Sequence, residues 1–189
     1  MKNISVWASG SGSNAENLIN YFSAHPHIRI GHIICNNAEA GVTERAKRLG
    51  VECFVFPRKD FREGDAVLNK LLEQKTDYVV LSGFLQMVPS NIINRFSEAI
   101  INIHPALLPD FGGKGMYGQR VHEAVIAAGK MESGITIHVV DEIYDHGKTI
   151  MQKHCPVLPA DTPEALAARV HELEYKWFPV AVEDYILNR

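Results

Sequence analysis

The stretch ISVWASGSGSNAENLINYFS, residues Ile4–Ser23, decides the fold. It begins with the short run Ile4–Ala8, which is rich in residues that favour β-strands, and continues through the loop Ser9–Ser13. The segment Asn14–Ser23 then carries apolar residues at helical spacing. This order of strand, loop and helix is typical of the first unit of an α/β sheet.

The same alternation continues through the first half of the chain. Apolar runs separated by amphipathic helices predict a doubly wound α/β fold with a mostly parallel sheet covered on both faces. We predict further strands near Ile28–Cys35, Cys53–Val55, Tyr78–Leu81 and Ala99–Ile103, helices near Val42–Leu49 and Gly64–Gln74, and a short helix after Pro89.

The C-terminal half has a different pattern. Gly112–Gly118 is rich in glycine and predicts a mobile loop, followed by a helix near Gln119–Ala128. Ile135–Val140 and Thr149–Pro156 have the composition of two strands with a short connection, so we expect them to pair antiparallel. The sheet should therefore contain antiparallel strands toward the C-terminal half.

Helix ends can be predicted at three places. Ser13 and Glu16 have the spacing of a capping box, so we expect Ser13 to cap the first helix. Thr162 followed by Pro163 predicts the N-terminus of the last helix. Pro179 should kink or break that helix, because proline lacks the backbone donor and clashes with the preceding turn.

The composition limits the classes of function. The chain has 189 residues and a net charge of -3, which fits one domain with no bulk basic surface for nucleic acid. The N-terminus lacks the apolar core of a signal peptide, and no apolar run approaches membrane-spanning length. We therefore expect a cytoplasmic protein without a membrane contact, in which Cys35 and Cys53 are buried reduced thiols.

The loop after the first strand has the features of a phosphate site. Its small residues let the backbone approach an anion, and the following helix offers free N–H groups. A tight turn without a ligand is the alternative. Gly10-x-Gly12-x-x-Ala15 also fits a dinucleotide fingerprint, but that motif expects an acidic residue about 20 residues on, whereas the second predicted strand ends in Cys35-Asn36-Asn37 with no acid until Glu39. A monophosphate fits better than a dinucleotide.

Asn102 and His104 are the candidate catalytic residues. They occupy alternate positions at the end of a predicted strand, so both side chains lie on one face. An amide and a protonated imidazole can stabilise an oxyanion. Protonation of His104 near neutral pH requires a nearby carboxylate, for which Asp141, Glu142 and Asp145 are candidates.

Other interpretations of the histidines stay open. An isolated histidine such as His104 is more often structural than catalytic, although its pairing with Asn102 favours a site. His122, His138 and His146 lack the spacing of a helical metal pair and are interpreted as mostly structural or solvated. A zinc or iron site built from them is a minor alternative.

Nearly the whole chain resembles the folate-dependent phosphoribosylglycinamide formyltransferase family. The run Asn102–Pro109 is the most specific part of this resemblance. The resemblance implies that residues 1–189 form a single domain with a Rossmann-like formyltransferase fold. The first half, about 1–100, would bind nucleotide or phosphate, and the second, about 101–189, would carry catalysis and folate binding. The resemblance rests on Ala8–Asn14, Leu81–Leu85, Asn102–Pro109 and Asp141–Gln152.

The resemblance also implies roles for individual residues. Catalysis falls on Asn102, His104 and Asp145. The resemblance assigns substrate phosphate binding to Gly12, Ser13 and Asn14, and ribose binding to Glu174. Folate binding falls on Arg58, Leu85, Gln86, Met87, Val88 and Asn102. A cis peptide is implied at Leu108-Pro109.

The sequence departs from the family at three places. His146 follows Asp145 where glycine is usual, and the connection from Asp141 is one residue longer, which leaves Asp141 as an alternative partner of His104. The segment Phe111–Gln119 is longer than in well-known bacterial members. Gln86 stands where some members carry arginine.

The implied activity is transfer of a formyl group from 10-formyltetrahydrofolate, as co-substrate, to the amine of glycinamide ribonucleotide. The expected partners are these small molecules only, with no metal, nicotinamide, nucleic acid or membrane, and the protein is expected to be a monomer or homodimer. Two other classes compete with this hypothesis: a nicotinamide-dependent oxidoreductase and a non-catalytic nucleotide-binding module.

Overall fold

The computed structural model describes residues 1–189, which group into two compact units, Met1–Ile101 and Asn102–Arg189. The strands of the first unit are β1 (Lys2–Ala8), β2 (Ile28–Cys35), β3 (Glu52–Val55) and β4 (Tyr78–Leu81). Its helices are α1 (Ser13–Phe22), α2 (Gly41–Leu49), α3 (Arg58–Glu63), α4 (Asp65–Glu73) and α5 (Ser90–Arg95). β5 (Ile100–His104) runs from the first unit into the second.

The second unit contains α6 (Gln119–Ala127), β6 (Glu132–Val139), β7 (Thr149–Pro156) and α7 (Pro163–Leu187). The seven strands have the order β3-β2-β1-β4-β5-β6-β7. β1 pairs parallel with β2 and β4, and β2 pairs parallel with β3. β6 and β7 pair antiparallel, as expected. The predicted α/β fold with a mostly parallel sheet is confirmed.

β1 lies between β2 and β4 in the centre of its unit. Every residue of the strand except Lys2 is buried, which requires cover on both faces. Trp7 packs edge-on against Phe61 and Phe84, with ring centroids 5.7 and 5.1 Å away. Its indole N–H donates to the hydroxyl of Ser5 at 3.0 Å, so the polar atom of this buried ring is satisfied.

The predicted capping box at the start of α1 is wrong. Gly12, not Ser13, is the N-cap, and its φ of 76° is a left-handed conformation that suits glycine. Glu16 pairs with Arg45 and with Arg48, the latter at 2.7 Å, so its carboxylate is engaged with these two cations. The ion pairs compete with the local cap that the spacing predicted.

One helix of the first unit was not predicted from sequence. α3 precedes Gly64, which has a φ of 83° and separates α3 from α4. Gly64 is therefore both the C-cap of α3 and the N-cap of α4. The prediction missed α3 because only six residues separate Pro57 from Gly64, too few to show a clear helical period.

The last helix begins where the sequence predicted, and it does not break at Pro179. The hydroxyl of Thr162 accepts a hydrogen bond from the backbone N–H of Ala165, and Pro163 is the first helical residue. Pro179 lies inside α7, which continues to Leu187, so the expected break does not occur. Phe178 and Pro179 are both buried, so packing of their side chains acts against the roughly 3 kcal/mol that an internal proline costs.

Three further expectations can be compared with the structure. All three cysteines are free; Cys35 and Cys155 are buried, whereas Cys53 is half-buried. The Leu108-Pro109 peptide is cis, as the resemblance implied. None of the helices is both long enough and apolar enough to cross a membrane.

His32 is a buried titratable residue of β2. It is fully buried, its ring lies 5.5 Å from that of Phe54, and neither ring nitrogen has a hydrogen-bond partner. Burial, together with the charge of Lys70, lowers the pKa of His32 to about 4. The unfolded chain would therefore bind a proton at His32 at a higher pH than the folded protein does.

This difference predicts a loss of stability in acid. Below the pKa that His32 has in the unfolded chain, the free energy of unfolding decreases as the pH is lowered. The decrease ends at the pKa of His32 in the folded protein and amounts to about 3 kcal/mol for this group. A His32→Leu variant lacks this contribution, so its free energy of unfolding relative to the wild type should rise as pH is lowered from 7 to 4. Urea titrations at several pH values measure this difference, and a constant difference across that range would contradict the assignment.

Candidate active site

β5 delivers two polar side chains to one place. Asn102 and His104 alternate with Ile101 and Ile103, so the two polar groups share a face of the strand. His104 is only 3 % exposed, and Asn102 is half-buried. Buried polar groups at the end of an apolar strand are costly unless they are hydrogen-bonded, and both have partners.

A hydrogen-bond network fixes the turn that follows His104. The hydroxyl of Thr136 donates to the carbonyl of Ala106 at 2.7 Å and accepts from the N–H of Leu108 at 2.9 Å. The amide nitrogen of Gln152, opposite Thr136 in the β6–β7 register, donates at 2.9 Å both to this hydroxyl and to the carbonyl of Leu108. The network uses all three hydrogen-bonding positions of the Thr136 hydroxyl.

Asp145 lies beside His104. One carboxylate oxygen of Asp145 is 3.6 Å from Nδ1 of His104 and accepts a hydrogen bond from the N–H of Gly113 at 2.8 Å. The other oxygen is 3.6 Å from Nε2 of His138. Burial raises the pKa of Asp145, but the interactions with His138, His104 and Gly113 outweigh it, so the net pKa is lowered and the carboxylate is charged.

Both ring nitrogens of His104 face acceptors. Nε2 lies 2.8 Å from the carbonyl oxygen of Phe111, and Nδ1 faces Asp145. A doubly protonated ring would satisfy both acceptors, but burial opposes the charge. Burial lowers the pKa of His104 below its ordinary value, although Asp145 and Phe111 act in the opposite direction. Burial therefore opposes the protonated ring expected from sequence.

His138 is a residue of this centre that the sequence analysis interpreted as structural. It is 2 % exposed, and its Nε2 lies 3.1 Å from the amide nitrogen of Asn102. Its Nδ1 lies 2.9 Å from the carbonyl oxygen of Val139. Thr136 and His138 alternate along β6 as Asn102 and His104 do along β5, so the same strand periodicity could have identified it.

The alternative carboxylates are directed elsewhere. Asp141 lies 3.2 Å from Nδ1 of His146 and also accepts the N–H of Ile143 at 2.9 Å. Glu142 is exposed. Asp145 has a φ of 54°, an uncommon conformation that aspartate tolerates better than most residues. Although His146 replaces the usual glycine, Asp145 is the carboxylate beside His104.

Glu174 is a buried acid on α7. It is 7 % exposed and accepts a hydrogen bond from Nδ1 of His171 at 2.6 Å. Burial lowers the pKa of His122, which lies on α6, and the charge of Glu174 acts against that shift. No group of three or more His, Cys, Asp or Glu side chains is arranged to hold a metal ion.

The predicted phosphate residues lie at the start of α1 in the first unit. Gly12 is the N-cap, and Ser13 and Asn14 are the first two helical residues, so their backbone N–H groups lie at the positive end of the helix dipole. A Cβ on Gly12 would clash with both the side chain and the backbone of Val42. Glycine is therefore required by its surroundings as well as by its φ.

The predicted folate segment follows β4 in the same unit. The N–H of Leu85 donates to the hydroxyl of Ser9 at 2.9 Å, which joins this segment to the loop after β1. Nε of Arg58 donates to the side-chain oxygen of Gln86 at 2.9 Å. Leu85 and Met87 are each 51 % exposed, whereas Val88 is buried. Exposed apolar side chains are available to contact a ligand ring here.

The catalytic candidates together can perform acyl-transfer chemistry. Asn102 supplies amide N–H donors, His104 supplies an imidazole, and Asp145 supplies a charged carboxylate that stabilises an imidazolium. Donors aimed at a developing oxyanion, in a site shielded from water, are the main requirement for transfer of an acyl or formyl group.

Comparison with known proteins agrees with this chemistry. Residues 2–182 match the family described as formyl transferase. The phosphoribosylglycinamide formyltransferase of Bacillus subtilis is 32 % identical over 98 % of this chain and 95 % of that protein. The crystal structure of the enzyme of the same name from Streptococcus pneumoniae has a TM-score of 0.88 and 35 % identity, covering 98 % of this chain and 99 % of that one.

The plant relatives are longer. The chloroplastic phosphoribosylglycinamide formyltransferase of Vigna unguiculata is 40 % identical over 96 % of this chain, which spans 60 % of that protein. The chain spans 63 % of the length of the Arabidopsis thaliana relative. Because the family match covers nearly all of the sequence and the bacterial relative is covered almost completely, the chain belongs to the formyl transferase family.

Proposed function

We propose that this protein transfers the formyl group of 10-formyltetrahydrofolate to the amine of glycinamide ribonucleotide, a step of purine biosynthesis. The observation that supports this most is the placement of Asn102, His104 and Asp145 at one centre in a member of the formyl transferase family. The Bacillus subtilis and Streptococcus pneumoniae relatives are named phosphoribosylglycinamide formyltransferase. The folate acts as a co-substrate and no metal is required.

In the proposed reaction, the acceptor amine attacks the formyl carbon. The new N–C bond forms while the C=O electron pair moves to oxygen, where Asn102 donates a hydrogen bond. The amine proton is passed to His104, and the resulting imidazolium, which Asp145 stabilises, stabilises the oxyanion by its charge. Collapse of the intermediate restores the C=O bond and expels the folate nitrogen, which takes the proton.

The lowered pKa of His104 suits this sequence of steps. A ring that is neutral before the reaction can accept the amine proton, and the charged Asp145 then favours the imidazolium beside it. The oxyanion and the imidazolium appear together, so their attraction is gained in the transition state rather than in the substrate complex. Each donor to the oxyanion is worth roughly 100-fold to 1,000-fold in turnover.

Substrate positioning is proposed for residues away from this centre. Backbone N–H groups of Gly12, Ser13 and Asn14 would bind the substrate phosphate, because they lie at a helix N-terminus. Glu174 would accept a hydrogen bond from a ribose hydroxyl.

The folate is assigned to the segment after β4. The exposed side chains of Leu85 and Met87 would cover the pterin, with backbone contacts along residues 85–88. Gln86 accepts a hydrogen bond from Arg58, so these two polar side chains would contact the folate together. Asn102 would contact the folate through the formyl group it activates. A single domain, a cytoplasmic location, and a monomeric or homodimeric state stay predictions.

The first prediction concerns the activity itself. Purified protein mixed with 10-formyltetrahydrofolate and glycinamide ribonucleotide should produce a change in folate absorbance that depends on both substrates. The competing oxidoreductase hypothesis predicts NADPH binding in a fluorescence titration, whereas a non-catalytic module would bind the ribonucleotide without any folate-dependent product. Absence of turnover in the two-substrate assay would contradict the proposed function.

The second prediction concerns the catalytic residues. His104→Ala and Asp145→Asn should each lower kcat by about 100-fold or more, because each removes part of the stabilisation of the intermediate. Urea unfolding of each variant is the control for folding. Turnover within about threefold of the wild type in either variant would refute its assigned role.

The third prediction separates the two aspartates of the connecting loop. Asp141 contacts His146 at the surface, so Asp141→Asn should retain kcat within about twofold of the wild type. It is the matched control for Asp145→Asn, since both replace a loop carboxylate by its isosteric amide. Equal losses in the two variants would show that loop conformation, rather than the charge beside His104, determines the rate.

A further inference from the structure

We propose that His138 is a positioning residue that fixes the orientation of the Asn102 carboxamide. This inference rests on the proposed function, because it concerns how Asn102 presents its N–H groups to the reacting formyl oxygen. His138 lies on β6 and is 2 % exposed, so water does not compete for its ring nitrogens.

The carbonyl of Val139 determines the tautomer of His138. A carbonyl oxygen only accepts hydrogen bonds, so Nδ1 of His138, 2.9 Å away, must carry the proton. In the neutral ring the proton on Nδ1 leaves a lone pair on Nε2. Backbone geometry therefore makes Nε2 an acceptor.

This acceptor then determines how the Asn102 amide is turned. The amide nitrogen of Asn102 lies 3.1 Å from Nε2 of His138 and donates one of its two hydrogens there. The opposite amide orientation would place the Asn102 oxygen against the Nε2 lone pair, which is repulsive. Only one orientation is stabilised, and the second amide hydrogen is left for an acceptor other than His138.

Asp145 is the competing partner of His138. Its nearer oxygen is 3.6 Å from Nε2, whereas the amide nitrogen of Asn102 is 3.1 Å away, within hydrogen-bond distance. The geometry therefore assigns Nε2 to Asn102, and the hydrogen bond that Asp145 accepts comes from the N–H of Gly113. His138 therefore orients the Asn102 amide, and the Asp145 carboxylate stays beside His104.

A matched pair of variants tests which ring nitrogen matters. In His138→Asn the short amide can donate to Val139 but does not reach Asn102. In His138→Gln the longer side chain can place an oxygen at the position of Nε2. We expect His138→Asn to lower kcat about 10-fold or more, with KM for both substrates within about threefold, and His138→Gln to recover most of the lost kcat.

A double-mutant cycle distinguishes positioning from a structural role. If His138 acts through Asn102, adding His138→Asn to Asn102→Ala should change kcat by less than about twofold. An equal loss of kcat in both backgrounds would overturn the inference, as would wild-type kcat in His138→Asn. An inactive wild-type protein would instead refute the proposed function, so the two failures are distinguishable.

The side-chain amide of Asn102 gives a readout that does not depend on activity. In the 15N-labelled wild-type protein, its two amide protons should give separate signals that exchange slowly with water. In His138→Asn these signals should shift and exchange faster, and in His138→Gln they should return toward the wild-type positions. Unchanged signals in His138→Asn would overturn the inference even if that variant were less active.

Discussion

The candidate active site depends on one buried carboxylate placed between two buried histidines. Asp145 lies 3.6 Å from both His104 and His138, and its charge is maintained although burial opposes it. Three elements provide these residues: β5, β6 and the loop before β7. The N–H of Gly113 supplies the hydrogen bond that holds the carboxylate in position. The chemistry proposed for this protein requires that all of these groups keep their places.

Burial and charge act in opposite directions at His104. Burial disfavours its protonated form, while Asp145 and the Phe111 carbonyl favour it. A group balanced in this way can accept a proton during the reaction and release it again, which a fully stabilised imidazolium could not do as readily. Thr136 and Gln152 hydrogen-bond the turn that follows His104, which anchors the chain next to this buried ring.

Much of this arrangement could be predicted from sequence because strand periodicity is simple. The alternation of Asn102 and His104 determined their shared face, and the resemblance located Asp145. The predicted cap at Ser13 was wrong because Glu16 forms ion pairs with arginines of α2, which local spacing does not show. His138 was missed although strand periodicity places it on one face of β6 with Thr136. Its contact with Asn102 joins two strands that are far apart in the sequence, so spacing along one strand does not show it.

Tracing the formyl carbon itself tests the central claim most directly. With 10-formyltetrahydrofolate carrying 13C in the formyl group, the account predicts that the 13C NMR signal moves from the folate to a new amide on glycinamide ribonucleotide. In the Asp145→Asn protein this transfer should slow by about 100-fold or more, with folding unchanged. Release of the label as formate, or equal transfer rates in the two proteins, would contradict the account.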